Sequence, residues 1–181
     1  MKPFELSVPV SAIDHATGAP HGTVTVIEYG DFECPNCKQA QPAVKLLLER
    51  FLGRVRFVFR HFPLEDVHPH ALQAAQAAEC AAGQDKFWQM YDLLFDHQTH
   101  LDAKHLRGYA EQLGLDMARY TAETDDEVYL QRVREQMRGG LDSGVRGTPT
   151  FFINGHIQDV SFGLRALFPA VEAALQGHAG R

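Results

Sequence analysis

The sequence predicts an α/β protein interrupted by an all-helical segment, and three observations carry that expectation. First, a β-branched run, Val24-Thr25-Val26-Ile27-Glu28-Tyr29, is followed by helical spacing and then by a second strand-like run, Val55-Arg56-Phe57-Val58-Phe59-Arg60. Second, residues 65–142 hold several apolar stripes at helical spacing and no convincing strand. Third, Thr150-Phe151-Phe152-Ile153 and the turn pair Asn154-Gly155 restore the strand pattern late in the chain. The frame therefore comprises 1–64 and 143–181, with 65–142 inserted as a helical subdomain.

Residues 1–22 read as an irregular lead-in, because Asp14-His15-Ala16-Thr17-Gly18-Ala19-Pro20 is turn-rich and has no sustained period. The first strand, from Val24, is bounded by Gly22 and Gly30. Between Cys37 and Phe51 the positions Ala40, Val44, Leu47, Leu48 and Phe51 recur at helical spacing, and Gly53 ends the segment. The strand from Val55 then makes a strand–helix–strand unit, expected to be a parallel pair with a crossover helix.

In the insert, Ala71 to Ala82 is alanine-rich. Phe87, Met90, Tyr91, Leu94 and Phe95 form one stripe, and Leu106, Tyr109, Ala110 and Leu113 another. Asp102 and Asp116 suit N-caps, Gly83 and Gly114 suit helix stops, and a further helix fits Val128 to Met137. After the hairpin, whose second strand is expected over His156 to Val160, a closing helix runs from Gly163 to Leu175. Its inner face is Leu164, Leu167, Phe168 and Val171, and a tail begins at Gly177.

Composition narrows the function. Hydrophobic residues at 45% and charged residues at 22% are those of a globular domain, and the chain of 181 residues can bury a core without staples. A net charge of -6 argues against a nucleic-acid partner, which needs a concentrated basic surface. Arg132, Arg134 and Arg138 read as a solvated helix face. No run approaches the ~18 apolar residues of a membrane span. The start, Met1-Lys2-Pro3-Phe4-Glu5-Leu6, lacks the apolar core of a secretory leader, so the expected location is cytoplasmic, with periplasmic or exported as the alternative if a leader has been trimmed away.

In such a compartment a paired Cys-x-x-Cys points to chemistry or metal rather than scaffolding. Cys34-Pro35-Asn36-Cys37 stands where strand gives way to helix, and Pro35 suits the first helical turn. Backbone N–H groups and the helix dipole there favour a thiolate. They lower the Cys34 pKa from ~8.5 toward the ~3.5–7 range of such motifs. Cys34 would attack a disulfide, and Cys37, one turn on, would resolve the mixed disulfide. Half a zinc site is the competing reading, but no second Cys-x-x-Cys exists. His68-Pro69-His70 is the one close histidine pair, so no metal is expected. In Gly147-Thr148-Pro149-Thr150, Pro149 fits either an ordinary trans proline at a strand entrance or a cis bond. The cis form would present the Thr148 backbone to an extended client.

These pieces together resemble the DsbA-like branch of the thioredoxin superfamily, in the form with a helical domain inserted in a thioredoxin fold. The resemblance rests on Glu28 through Cys37, Phe59-Arg60-His61-Phe62-Pro63-Leu64, Ala78-Glu79-Cys80-Ala81-Ala82 with Lys86-Phe87-Trp88, and Gly144 through Gly155. It implies a thioredoxin fold, dithiol exchange through Cys34 and Cys37, and a cis proline at Pro149. It also implies a buried carboxylate at Glu28 that relays the Cys37 proton, the alternative being an edge carboxylate facing water. At Asn36 the chain departs from the best-known motif, which has histidine before the second cysteine. Asn brings no charge, so the expectation is a higher Cys34 pKa and a weaker oxidant.

Cys80, among small apolar residues, reads as a buried inert thiol, His61 as a satisfied structural histidine, and the aromatic stripe as subdomain core. The expected function is thiol–disulfide exchange with protein or peptide cysteines, without metal or organic cofactor. Glutathione or a thioredoxin-like protein would restore the dithiol. Two rivals stand beside it: a peptide-holding chaperone, and a glutathione-dependent small-molecule isomerase, against which the intact pair weighs.

Overall fold

The computed structural model describes residues 5–161 and 163–179. The elements are β1 (His15–Gly18), β2 (Val24–Gly30), α1 (Pro35–Arg50), β3 (Val55–His61), α2 (Ala71–Ala82), α3 (Phe87–Asp96), α4 (Ala103–Gln112), α5 (Met117–Asp125), α6 (Leu130–Asp142), β4 (Thr150–Ile153), β5 (His156–Gln158) and α7 (Leu167–Ala179), the last entered through a 3-10 turn at Leu164–Ala166. The five strands form one sheet in the order β1-β3-β2-β4-β5. The expected α/β class with a helical insertion is what the structure shows.

These elements fall into two compact units. One holds the described residues of Met1–Gly30, Gln39–Arg60 and Arg138–Arg181; the other holds Asp31–Lys38 and His61–Met137. The helical unit thus begins at His61 rather than at 65 and takes in the dithiol segment, because the side chains of Asp31 and Glu33 bond into residues 64–70.

In the first unit β2 and β3 are buried almost end to end, which their near-continuous apolar runs require of central strands. Tyr29, Phe57, Phe59, Phe151 and Phe152 are among the largest fully buried side chains. The inner face of α1 adds Ala40, Val44 and Leu47, and α7, which packs on β2 and β4, adds Leu167 and Val171. The β4–β5 turn places both Asn154 (φ 48°) and Gly155 (φ 84°) in the left-handed region, the geometry of the two-residue hairpin that Asn-Gly encodes.

Three expectations for this unit change. The lead-in is not irregular throughout: β1 pairs antiparallel with β3, His15 opposite Phe59 and Gly18 opposite Arg56. Four residues with one apolar side chain carry no period of their own, so the partner strand decides. Arg60 then ties the lead-in down. This residue, 3% exposed, forks its guanidinium onto Asp14 (2.8 and 3.0 Å) and donates to the Val8 and Pro9 carbonyls and the Tyr29 hydroxyl. Lastly, the helix continues through Gly177 to Ala179, so no tail begins there, and β5 stops at Gln158, short of Val160.

In the second unit α2 is buried along most of its length and touches α3, α4 and α5, an approach that alanine allows. Asp102 and Asp116 cap α4 and α5, each accepting from the second and third amides of its helix. Gly114 (φ 66°) closes α4 with the paired bonds Leu115 N to Ala110 O and Gly114 N to Glu111 O. The helix expected over Val128 to Met137 starts at Leu130 and extends to Asp142. Its basic face is not wholly solvated: Arg132 reaches Glu79, a buried carboxylate, at 2.8 Å, and Arg134 pairs with Glu65.

Candidate active site

β2 ends at Gly30, and four residues later Cys34 opens α1. The Cys34 carbonyl accepts the first helical bond, from Lys38 N at 3.2 Å, which makes Cys34 the N-cap residue. Pro35 follows at the first helical position, where its missing N–H costs nothing and its φ is already helical. Asn36 and Cys37 are then the second and third positions, whose amides point back at the N-cap side chain. A sulfur in that place lies at the positive end of the helix dipole, an environment that favours an anion. Cys34 is 4% exposed and Cys37 0%. Of the two sulfurs, Cys34 is therefore the more accessible.

The turn before the dithiol is held from several sides. Asp31, itself buried, accepts Glu33 N on Oδ1 and Leu64 N on Oδ2, both at 2.8 Å. His68 Nδ1 donates to the same Oδ2 at 2.7 Å. The Asp31 backbone N–H donates to Cys37 Sγ at 3.4 Å, and Cys34 N donates to the Asp31 carbonyl at 3.2 Å. Glu33 takes the other histidine, with His70 N at 2.6 Å and His70 Nδ1 at 2.9 Å. Gln98 Nε2 bonds the Phe32 and Cys34 carbonyls, both at 2.8 Å. Phe32 is packed by Tyr91 and Phe95, with ring centroids 5.9 and 5.0 Å away. The aromatic stripe is thus core, and it braces this turn.

Of the residues singled out by sequence, Cys34, Pro35, Asn36 and Cys37 share the first turn of α1, with Pro35 and Asn36 exposed. Glu28 lies on β2 opposite Phe151 and is 0% exposed, so it is no edge carboxylate facing water. The Thr148–Pro149 bond is cis, immediately before β4, whose Thr150 pairs with Tyr29. His61 is buried, with Nε2 2.9 Å from Glu79 Oε1. Burial, with Glu123 and then Glu79 nearby, pushes the Cys80 thiol up to about 12, as an inert thiol requires.

The sequence pattern does not single out Asp31, His68 or Gln98 as site residues. One signal was legible: Asp31-x-Glu33 and His68-x-His70 share a spacing of two, and the structure pairs them in order. From sequence, His68-Pro69-His70 reads only as a metal pair. Nothing local in the sequence marks Gln98.

A dithiol at the N-cap of the helix after a central strand, with a cis proline before β4, defines a thioredoxin-fold protein of the DsbA-like kind. The chain belongs to the thioredoxin family, whose model, described as "Thioredoxin", matches residues 11–172. Among solved structures it is similar to oxidised BdbD from Bacillus subtilis (TM-score 0.81, 21% identity, 90% of this chain and 93% of that one). It is also similar to a thioredoxin-like oxidoreductase from Silicibacter pomeroyi (TM-score 0.81, 25% identity, 92% and 94%). Among curated proteins it is 48% identical over 175 residues to Na(+)/H(+) antiporter NhaA 1 of Salinispora arenicola, covering 96% of this chain and 27% of that protein. For the NhaA antiporter of Herminiimonas arsenicoxydans the identity is 38% over 176 residues, covering 97% and 28%. The chain spans about a quarter of the length of these curated relatives.

Proposed function

We propose that this chain is a protein dithiol–disulfide oxidoreductase acting through Cys34 and Cys37. One observation carries the reading: an N-cap sulfur with a sliver of exposure is followed, one turn on, by a fully buried sulfur that accepts a backbone N–H. In the reducing direction the Cys34 thiolate attacks a client disulfide, forming a Cys34–client S–S bond and releasing the distal client sulfur, which takes a proton. Cys37 loses its proton and attacks Cys34, expelling the second client sulfur. The client gains two electrons and two protons, and the protein holds a Cys34–Cys37 disulfide. The reverse sequence oxidises a client. Electrons pass through the two sulfurs, so neither metal nor organic cofactor takes part.

The finer assignments belong to the same proposal. Glu28, buried on β2, is the acceptor of the Cys37 proton. The Thr148 backbone beside Pro149 offers hydrogen bonds to an extended client. Pro35 and Asn36 tune the thiolate, and glutathione or a thioredoxin-like protein restores the dithiol. Ion antiport is named for whole relatives about four times as long. Within this chain the described residues include no helix long and apolar enough to cross a membrane.

The test is turnover of a protein disulfide, by insulin reduction and by refolding of a scrambled substrate. Cys34→Ser abolishes both, and Cys37→Ser accumulates mixed disulfides. Equal turnover by Cys34→Ser overturns the reading. The potential of the couple then gives direction, about -120 mV for an oxidant and about -270 mV for a reductant.

A further inference from the structure

Asp31 uses every polar group it has on the turn that carries the dithiol. Its carboxylate is fixed by three donors from two places in the chain: Glu33 N, Leu64 N and the His68 ring. Its carbonyl takes the Cys34 N–H, and its own N–H is delivered to Cys37 Sγ. The carboxylate therefore anchors the peptide whose amide meets the second sulfur. That sulfur becomes most negative when Cys37 gives up its proton to attack the mixed disulfide, and a hydrogen bond to an anion is stronger than one to a neutral thiol.

We propose that Asp31, held by His68, is the positioning residue for the resolving thiol Cys37, setting the rate at which mixed disulfides are released. This rests on the reading of Cys37 as the resolving thiol, and deepens it. In that step the Cys37 thiolate attacks Cys34 Sγ, a Cys34–Cys37 bond forms, and the Cys34–client bond breaks. The client sulfur leaves with the electron pair and is protonated by water. The Asp31 carboxylate acts through the residue's own backbone amide, which it holds against Cys37 Sγ. Asp31 meets Cys34 through its main-chain carbonyl, which Asp31→Asn retains, so the first attack, by Cys34, is expected to respond less to loss of the carboxylate anchor than the second step.

The probe is 5,5′-dithiobis(2-nitrobenzoate) mixed with the reduced full chain in a stopped-flow instrument. Attack by Cys34 releases one thionitrobenzoate, and resolution by Cys37 releases a second, so each step has its own phase. Asp31→Asn keeps one acceptor oxygen but offers an NH2 where Leu64 N and His68 donate. It is expected to slow the second phase about tenfold and to leave the first within about twofold. His68→Ala gives a smaller slowing in the same phase, and His68→Asn, whose amide nitrogen stands near the Nδ1 position, restores it. His68 keeps partial exposure, so this pair of variants serves if Asp31→Asn fails to fold. An unchanged second phase, or both phases slowed alike, overturns the proposal. A wild-type chain with no second phase overturns the reading of Cys37 itself.

Discussion

Native alkylation should separate the three cysteines sharply, with Cys80 as the informative one. Cys80 is 0% exposed in α2, and its pKa is raised from the ordinary 9.0 to about 12, first by burial and then by Glu123 and Glu79. At pH 7.5 a thiol of pKa 9.0 is about 3% ionised, and one near 12 about 0.003%. Since the thiolate is the nucleophile, ionisation alone slows Cys80 about a thousandfold, before any loss of access. The assay is a timed pulse of iodoacetamide on the reduced protein, read by peptide mass spectrometry, with a urea-denatured control. Cys34 is expected to label first and Cys80 only in the denatured sample. Should native Cys80 label within about tenfold of its denatured rate, the burial argument is wrong, and a third redox partner re-enters the mechanism.

Alkaline stability follows from the same group. A value raised on folding favours the folded state fully below about pH 9, and this is lost as pH climbs through about 12. The loss is on the order of 4 kcal/mol for Cys80, and Tyr120, raised to about 12 by burial and then by Cys80, adds to it. Thermal melts between pH 8 and 11 should show the midpoint falling, and Cys80→Ala should flatten that fall. Asp14→Ala leaves the Arg60 guanidinium buried without its carboxylate. It should cost about 3–5 kcal/mol, near 10 °C in Tm for a chain of this size; a change under about 1 °C in differential scanning calorimetry would contradict it. Gln98→Ala removes the donor shared by the Phe32 and Cys34 carbonyls. It should cost about 1–2 kcal/mol, with faster hydrogen exchange across residues 31–38 as the mark of a loosened dithiol turn.

Much of the site was written locally. Cys34, Pro35 and Cys37 could be placed at a helix start because N-terminal positions have their own residue chemistry, and that chemistry acts within four residues. Asn154-Gly155 encoded its turn for the same reason, since two left-handed residues in succession exclude most side chains. The Asp102 and Asp116 caps and the alanine-rich α2 were equally legible.

What escaped the sequence is long-range and polar. β1 exists because β3 supplies its ladder, and Arg60, which alternation on a strand would turn outward, is instead drawn inside by Asp14, 46 residues away. Arg132 looked like part of a solvated face until Glu79 gave it a buried partner. The sequence by itself determined that a sulfur stands at a helix N-terminus, because hydrophobic period and capping are local properties. Only the tertiary structure decided that Asp31, His68 and Gln98 surround it, because a hydrogen bond between residues 37 or 64 positions apart leaves no periodic trace in the chain.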